Sequence, residues 1–150
     1  MTRDEQLEQL LKRAKLVATE AHHGQTRGDK TTPYIEHPKA IAKALAADDW
    51  SVLYQIVAWL HDVVEDNPLF TLDKLAVDFP PEVVEAVDAM THREDETYLD
   101  YIVRVRENII ARTIKEYDIW HNLVSLDVKK NKQRAEKYHL ALFILRDELK

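Results

Sequence analysis

Apolar positions recur with a helical period along almost the whole chain. Leu7, Leu10, Leu11, Ala14, Val17, Ala18 and Ala21 follow the i, i+3, i+4, i+7 spacing, and Thr2 with Glu5 has the spacing of a capping box. A first helix is therefore predicted to run to about His22. Gly24, Gly28 and Pro33 interrupt the pattern, and the polar stretch Gln25 to Thr32 reads as a loop. Pro38 suits the first position of a second helix, where its missing N–H has no partner to lose, and Ile41, Ala42, Leu45 and Ala46 supply the apolar stripe. A third helix is predicted to be capped by Asp48 or Asp49, to pass through Val52, Leu53, Ile56, Val57 and Leu60 to about Val64, and to close at Asn67-Pro68. Thr71 to Val77 reads as a short helix stopped by Pro80, and Pro81 opens another with Val83, Val84, Val87 and Met90. Beyond a polar connector, Thr91 to Glu96, helices are predicted over about 97 to 107, 109 to 127 and 132 to 149. With no alternating strand pattern, repeat or linker, the expected fold class is all-α.

Composition acts mainly by exclusion. The length of 150 residues and the 45% hydrophobic content fill one core, so residues 1–150 are expected to form a single domain. Cysteine is absent, which removes disulfides, thiolate nucleophiles and Cys-ligated metal sites, and makes a cytoplasmic location the default. Gly24 and Gly28 are too few for a dinucleotide fingerprint and do not form a P-loop, and neither Ser51 nor Ser125 sits in a Gly-x-Ser-x-Gly elbow. The longest uncharged run, Trp50 to Leu60, is far short of the roughly 20 apolar residues of a membrane span, and the polar N-terminus has no signal-like apolar stretch. No membrane partner is expected, and nothing in the sequence sets an oligomeric state. Net charge is −6, but residues 61 to 100 carry twelve acids against Lys74 and Arg93, which is −10 locally and +4 elsewhere. That excess argues against nucleic acid as a partner and suits a bound cation.

Without cysteine, a tight transition-metal site must be built from histidine and carboxylate. Three places concentrate them near helix ends: His37 before Pro38; the run His61-Asp62-Val63-Val64-Glu65-Asp66; and Asp118 with His121 and Asn122. Glu65 follows His61 by four residues and Asp66 follows Asp62 by four, so adjacent helical columns would each pair a potential ligand with a potential acid or base. Imidazole and carboxylate together suit manganese, iron or zinc, and nearby carboxylates can then position water or move protons. A His-Asp pair at a helix end is ordinarily a cap or a solvated pair. Here Val57, Ala58, Leu60, Val63 and Val64 surround one pair and Ile114, Leu123 and Val124 surround Asp118, and charge in such company needs a partner or an ion.

Four ordered blocks carry a wider likeness: Ala21-His22-His23-Gly24-Gln25-Thr26-Arg27, Pro33-Tyr34-Ile35-Glu36-His37-Pro38, Leu60-His61-Asp62-Val63-Val64-Glu65-Asp66 and Asp118-Ile119-Trp120-His121-Asn122-Leu123. In order and spacing they resemble the HD-domain metal-dependent phosphohydrolases, specifically the short, single-domain form of the RelA/SpoT-type alarmone hydrolases. The resemblance implies an all-α HD-type helical bundle. It makes His37, His61, Asp62 and Asp118 ligands to Mn²⁺ or another divalent transition metal, and Glu65 and Asp66 the acids that activate water and assist proton transfer. It sets Arg27 toward substrate phosphate and Asn122 near the nucleotide sugar, and matches Ser125 to a position where the family has a hydroxyl. The implied reaction removes the 3′-pyrophosphate of guanosine tetra- or pentaphosphate; hydrolysis of another nucleotide (NADPH or a nucleoside phosphate) and a silent nucleotide-binding module are the alternatives.

The sequence departs from the family pattern in places. Gly28 stands where lysine commonly follows Arg27, with Lys30 in the same loop as a substitute. Ile119 replaces arginine, Thr91-His92 replaces Thr-Lys, and Pro80 replaces glycine. His22, His23, His92 and His139 are given no role, His121 reads as a packing or supporting histidine, and the basic run Lys129 to Lys137 reads as a solvated helix start.

Overall fold

The computed structural model describes residues 1–146. Within them the chain forms nine helices: α1 (Arg3–Ala21), α2 (Glu36–Ala47), α3 (Val52–Leu60), α4 (Val63–Asp66), α5 (Leu72–Asp78), α6 (Pro81–Met90), α7 (Tyr98–Arg106), α8 (Ile109–Ser125) and α9 (Lys132–Arg146). The all-α expectation holds; the only β pairing among the described residues is an isolated bridge between Thr26 and Pro33. The part of the last expected helix beyond residue 146 lies outside the described residues.

Side-chain caps start α1, α5, α7 and α8: Thr2, Thr71, Thr97 and Asn108 each accept a backbone N–H three residues on. Two boundaries differ from the sequence reading. Helix α2 begins at Glu36, so Pro38 is its third residue rather than its first, still within the turn whose N–H groups lack helical partners. Asp48 and Asp49 do not cap α3. They close α2, with Asp49 in the left-handed region (φ 64) and the bonds Trp50 N to Leu45 O and Asp49 N to Ala46 O, while Ser51 precedes α3.

The greatest difference lies at the end of α3. The expected unbroken helix to Val64 stops at Leu60, His61 and Asp62 form a turn, and α4 restarts at Val63. Apart from Gln55 and the Tyr54 hydroxyl, helix α3 is apolar, and Ile56, Val57, Ala58 and Leu60 are fully buried, which marks it as the central rod of the core. It packs against α1, α2, α6 and α8, while α9 covers α7 and α8. One contiguous cluster of buried apolar side chains, from Leu11 on α1 to Leu145 on α9, joins these elements. At about 1.5–3 kcal/mol for each large apolar side chain buried, this cluster is what holds the turn His61-Asp62 at the centre of the molecule.

Candidate metal centre and substrate cleft

The ends and middles of three helices converge on one point. Helix α2 brings His37, the turn after α3 brings His61 and Asp62, and α8 brings Asp118; one ligand atom from each lies within 4.8 Å of all the others. His37 and His61 are 1% exposed and Asp118 4%, so they offer donors without competing water. His37 Nε2 is 2.7 Å from Asp118 Oδ1 and 3.7 Å from Asp62 Oδ2, and His61 Nε2 is 2.9 Å from Asp62 Oδ2 and 3.6 Å from Asp118 Oδ1.

Hydrogen bonds around the cluster fix which atoms are free to coordinate. His61 Nδ1 donates to Ala58 O at 2.6 Å, which leaves the Nε2 lone pair facing inward, buried and without an aligned hydrogen-bond partner. His37 Nδ1 lies 2.7 Å from His121 Nδ1, and donation from His37 to His121 likewise presents the His37 Nε2 lone pair. Tyr34 Oη donates to Asp62 Oδ2 at 2.6 Å, and Lys115 Nζ donates to Asp118 Oδ2 at 2.8 Å. Two imidazole nitrogens and two carboxylates, each braced from behind, fit a divalent transition ion.

Opposite charges in the cluster stabilise one another. Burial works against a charged His61, yet Asp62 and Asp118 outweigh it and hold His61 well above the usual histidine value. Burial likewise opposes ionisation of Asp118, but Lys115, His37 and His61 overcome it and keep the carboxyl well below its ordinary range. Glu65 and Asp66 on α4 behave oppositely. Partial desolvation and the charge of Asp62 raise Glu65, and the same two causes with Glu65 added push Asp66 up to about 7.

Beside the cluster opens a cleft of about 640 Å³, lined at one end by Tyr34, His37 and His121 and farther out by Arg27, Asn122 and Ser125. These last three form one group: Arg27 Nη2 donates to Asn122 Oδ1 at 2.9 Å and lies 3.4 Å from Ser125 Oγ. The loop that carries Arg27 is stiffened by Asp29, whose carboxylate accepts the Thr31 and Thr32 N–H groups, both at 2.9 Å. Lys30 is exposed with φ 65 and is not among the lining residues. Arg134 is, with Asn131 and Tyr138, so the helix start read as merely solvated supplies a cation to the far wall. Glu65 and Asp66 are not lining residues either; they stand beside Asp62, and the Asp66 N–H donates to Asp62 O at 2.9 Å.

Several contributors were missed at the level of sequence. Lys115 sits three residues before Asp118, a helical spacing that pairs the two. Tyr34 stood inside a recognised block without a role. His22, given none, is 2% exposed and packs its ring 4.8 Å from that of Tyr34. Val124, expected to shelter Asp118, is instead 84% exposed, and Ile119 is fully buried and adds to the core.

Residues 14–134 match the family described as HD domain. The chain is 31% identical over 147 residues to a probable GTP pyrophosphokinase of Mycobacterium leprae, covering 91% of this chain and 18% of that protein. It is 35% identical over 126 residues to the bifunctional (p)ppGpp synthase/hydrolase SpoT of Escherichia coli K12, covering 77% and 18% respectively. The chain thus spans about a fifth of the length of these curated relatives. A solved structure of a metazoan SpoT ortholog, described as hydrolysing ppGpp, superposes with a TM-score of 0.76 at 22% identity, over 97% of this chain and 88% of that one. At that identity the superposition establishes the fold.

Proposed function

The chain belongs to the HD-domain family, and we propose that it is a divalent-metal phosphohydrolase that removes the 3′-pyrophosphate of guanosine tetra- or pentaphosphate, giving GDP or GTP and pyrophosphate. The observation behind this reading is the continuity of the His37, His61, Asp62 and Asp118 cluster with a nucleotide-sized cleft that carries Arg27 and Arg134. The Escherichia coli relative named a (p)ppGpp synthase/hydrolase supports the choice of substrate.

In this reading His37, His61, Asp62 and Asp118 hold one ion, preferably Mn²⁺. Bound there, the ion would supply Lewis acidity toward a phosphate oxygen and a lowered pKa for water. Arg27 meets phosphate charge with a planar fork of donors, Asn122 and Ser125 orient the sugar beside it, and Lys30, exposed on the same loop as Arg27 and outside the cleft lining, adds only longer-range positive field. Glu65 takes a proton at its carboxylate from the attacking water, and Asp66, held up to about 7, exchanges a proton near neutrality. We further read residues 1–150 as one domain, supported by the single buried cluster, and as resident in the cytoplasm. No helix of the described residues is long and apolar enough to cross a membrane.

A side-by-side turnover panel with Mn²⁺ tests the proposal. Intact pyrophosphate should leave ppGpp faster than phosphate leaves NADPH or nucleoside 5′-monophosphates, and Arg27→Ala should chiefly raise KM if its contact is equal in ground and transition states. Dominant release from a monophosphate or NADPH would sink the alarmone assignment. Bound metal with no turnover of any of them would identify a silent nucleotide-binding module.

A further inference from the structure

Glu65 is held by a backbone group whose own orientation is set from another helix. Its Oε1 accepts the His92 N–H at 3.2 Å. The carbonyl of that same peptide unit, Thr91 O, accepts from two guanidinium groups, Arg93 Nη1 and Arg104 Nη2, both at 2.8 Å. A trans peptide is planar, with its N–H and C=O pointing in opposite directions, and the described residues contain no cis peptide bond. Fixing the oxygen therefore fixes the line along which the N–H points.

We propose that Arg93 and Arg104 are positioning residues for the reaction: they grip the Thr91–His92 peptide by its carbonyl and so aim its N–H at the Glu65 carboxylate. This rests on the reading of Glu65 as the group that takes the water proton. Both arginines are themselves immobilised. Arg104 Nε and Nη2 bond both oxygens of Glu96, at 2.8 and 3.0 Å, and its Nη1 reaches Ala89 O at 3.1 Å. Arg93 Nη2 bonds Asp88 Oδ1 at 2.6 Å, and its backbone N–H donates to Glu96 Oε1 at 3.1 Å. The Tyr101 hydroxyl donates to Met90 O at 2.6 Å, which ties the end of α6 to α7 just before the gripped peptide.

Capping the end of α6 would account for the bonds to Asp88 O and Ala89 O. It does not account for the convergence of two cations on Thr91 O, one residue past the helix. Two charged donors on one carbonyl also polarise the peptide and strengthen its N–H as a donor. The interaction is made by backbone, so it does not depend on the side chain at position 92.

The full chain carrying Arg104→Gln, Arg93→Gln, Glu65→Gln, or Arg104→Gln with Glu65→Gln provides the test. In assigned ¹⁵N–¹H spectra of EDTA-treated protein, the His92 amide signal should move in Glu65→Gln and in both arginine variants while signals from α1 and α2 keep their places. A His92 signal unmoved by Arg104→Gln and by Arg93→Gln overturns the proposal. In turnover with Mn²⁺, Arg104→Gln should lower kcat about ten-fold, the scale of one charge-assisted hydrogen bond. KM and bound manganese should stay unchanged, and Arg104→Gln should cost nothing more once Glu65 is already Gln. Independent, multiplying losses in the double variant would assign Arg104 a general structural role and overturn the proposal. Full kcat in Glu65→Gln would remove the underlying reading of Glu65 and the catalytic half of the proposal with it, while the amide signals still decide the positional half. Should Arg104→Gln fail to fold, Arg104→Lys, which keeps the charge but loses the fork, carries the same comparisons.

Discussion

Glu65 and Asp66 follow Asp62 within one helical turn but are not members of the four-residue cluster. Glu65→Gln and Asp66→Asn should therefore retain about one manganese per chain by elemental analysis while turnover falls roughly 10²- to 10⁴-fold, the range for loss of a general acid or base. Retained kcat in both would mean that these carboxylates do not handle the proton. Asp66 also gives the metal-free protein a pH signature. Its carboxyl is raised from 3.8 to about 7 by desolvation, Asp62 and Glu65, so between those values the folded chain holds a proton that the unfolded chain has released. Stability in EDTA should fall as pH rises from about 4 to 7, and Asp66→Asn should lose less over that interval. Urea midpoints of the two proteins that differ equally at pH 4 and pH 8 would contradict this. The cluster residues were legible because histidine and aspartate in apolar company leave few other readings. Lys115 and Arg134 were not, because a lysine or arginine on a helix is ordinarily solvated, and only packing shows that one is buried against Asp118 and the other turned to the cleft.

The helices themselves followed from periodicity, and their errors have local causes. The third was read as continuous because Leu60, Val63 and Val64 extend the apolar pattern, yet the chain turns at His61-Asp62. Asp62 N-terminal to Val63 leaves the last carbonyls of α3 to other partners, and one of them, Ala58 O, is taken by the His61 ring. The break is thus part of how His61 is oriented, a tertiary demand that hydrophobic spacing does not encode. Helix α8 shows the opposite case, where a local signal decides. Asn108 accepts the Ala111 N–H at 2.9 Å and separates α7 from α8 at the break expected between about 107 and 109. Asn108→Ala should destabilise the protein by about 1 kcal/mol, read from denaturant unfolding. Metal content should be unchanged, since Asp118 lies more than two turns along. A loss of metal in a folded Asn108→Ala protein would mean that the start of α8, and not its middle, sets the position of Asp118.

Across the whole molecule, the four side chains of the cluster come from residues 37, 61, 62 and 118, and only the packing of α2 and α8 on α3 brings them together. An unfolded chain cannot offer the four together, so an ion that binds here binds the folded state and stabilises it. The surroundings strengthen that coupling: residues 61 to 100 carry a net −10, and Asp62, Glu65 and Asp66 crowd one turn of chain. At a free ion concentration about 100 times Kd the gain is about 2.7 kcal/mol, which for a chain of this size corresponds to a rise in Tm of roughly 5–10 °C. Mn²⁺ added to EDTA-stripped protein should produce that shift, and renewed EDTA should reverse it. In Asp118→Ala the shift should vanish although helical content by far-UV circular dichroism is kept, because Ile114 and Ile119 on either side hold α8 to the core without the carboxylate. A full manganese-dependent rise in folded Asp118→Ala protein would show that the ion sits elsewhere, and would remove this cluster as the metal centre.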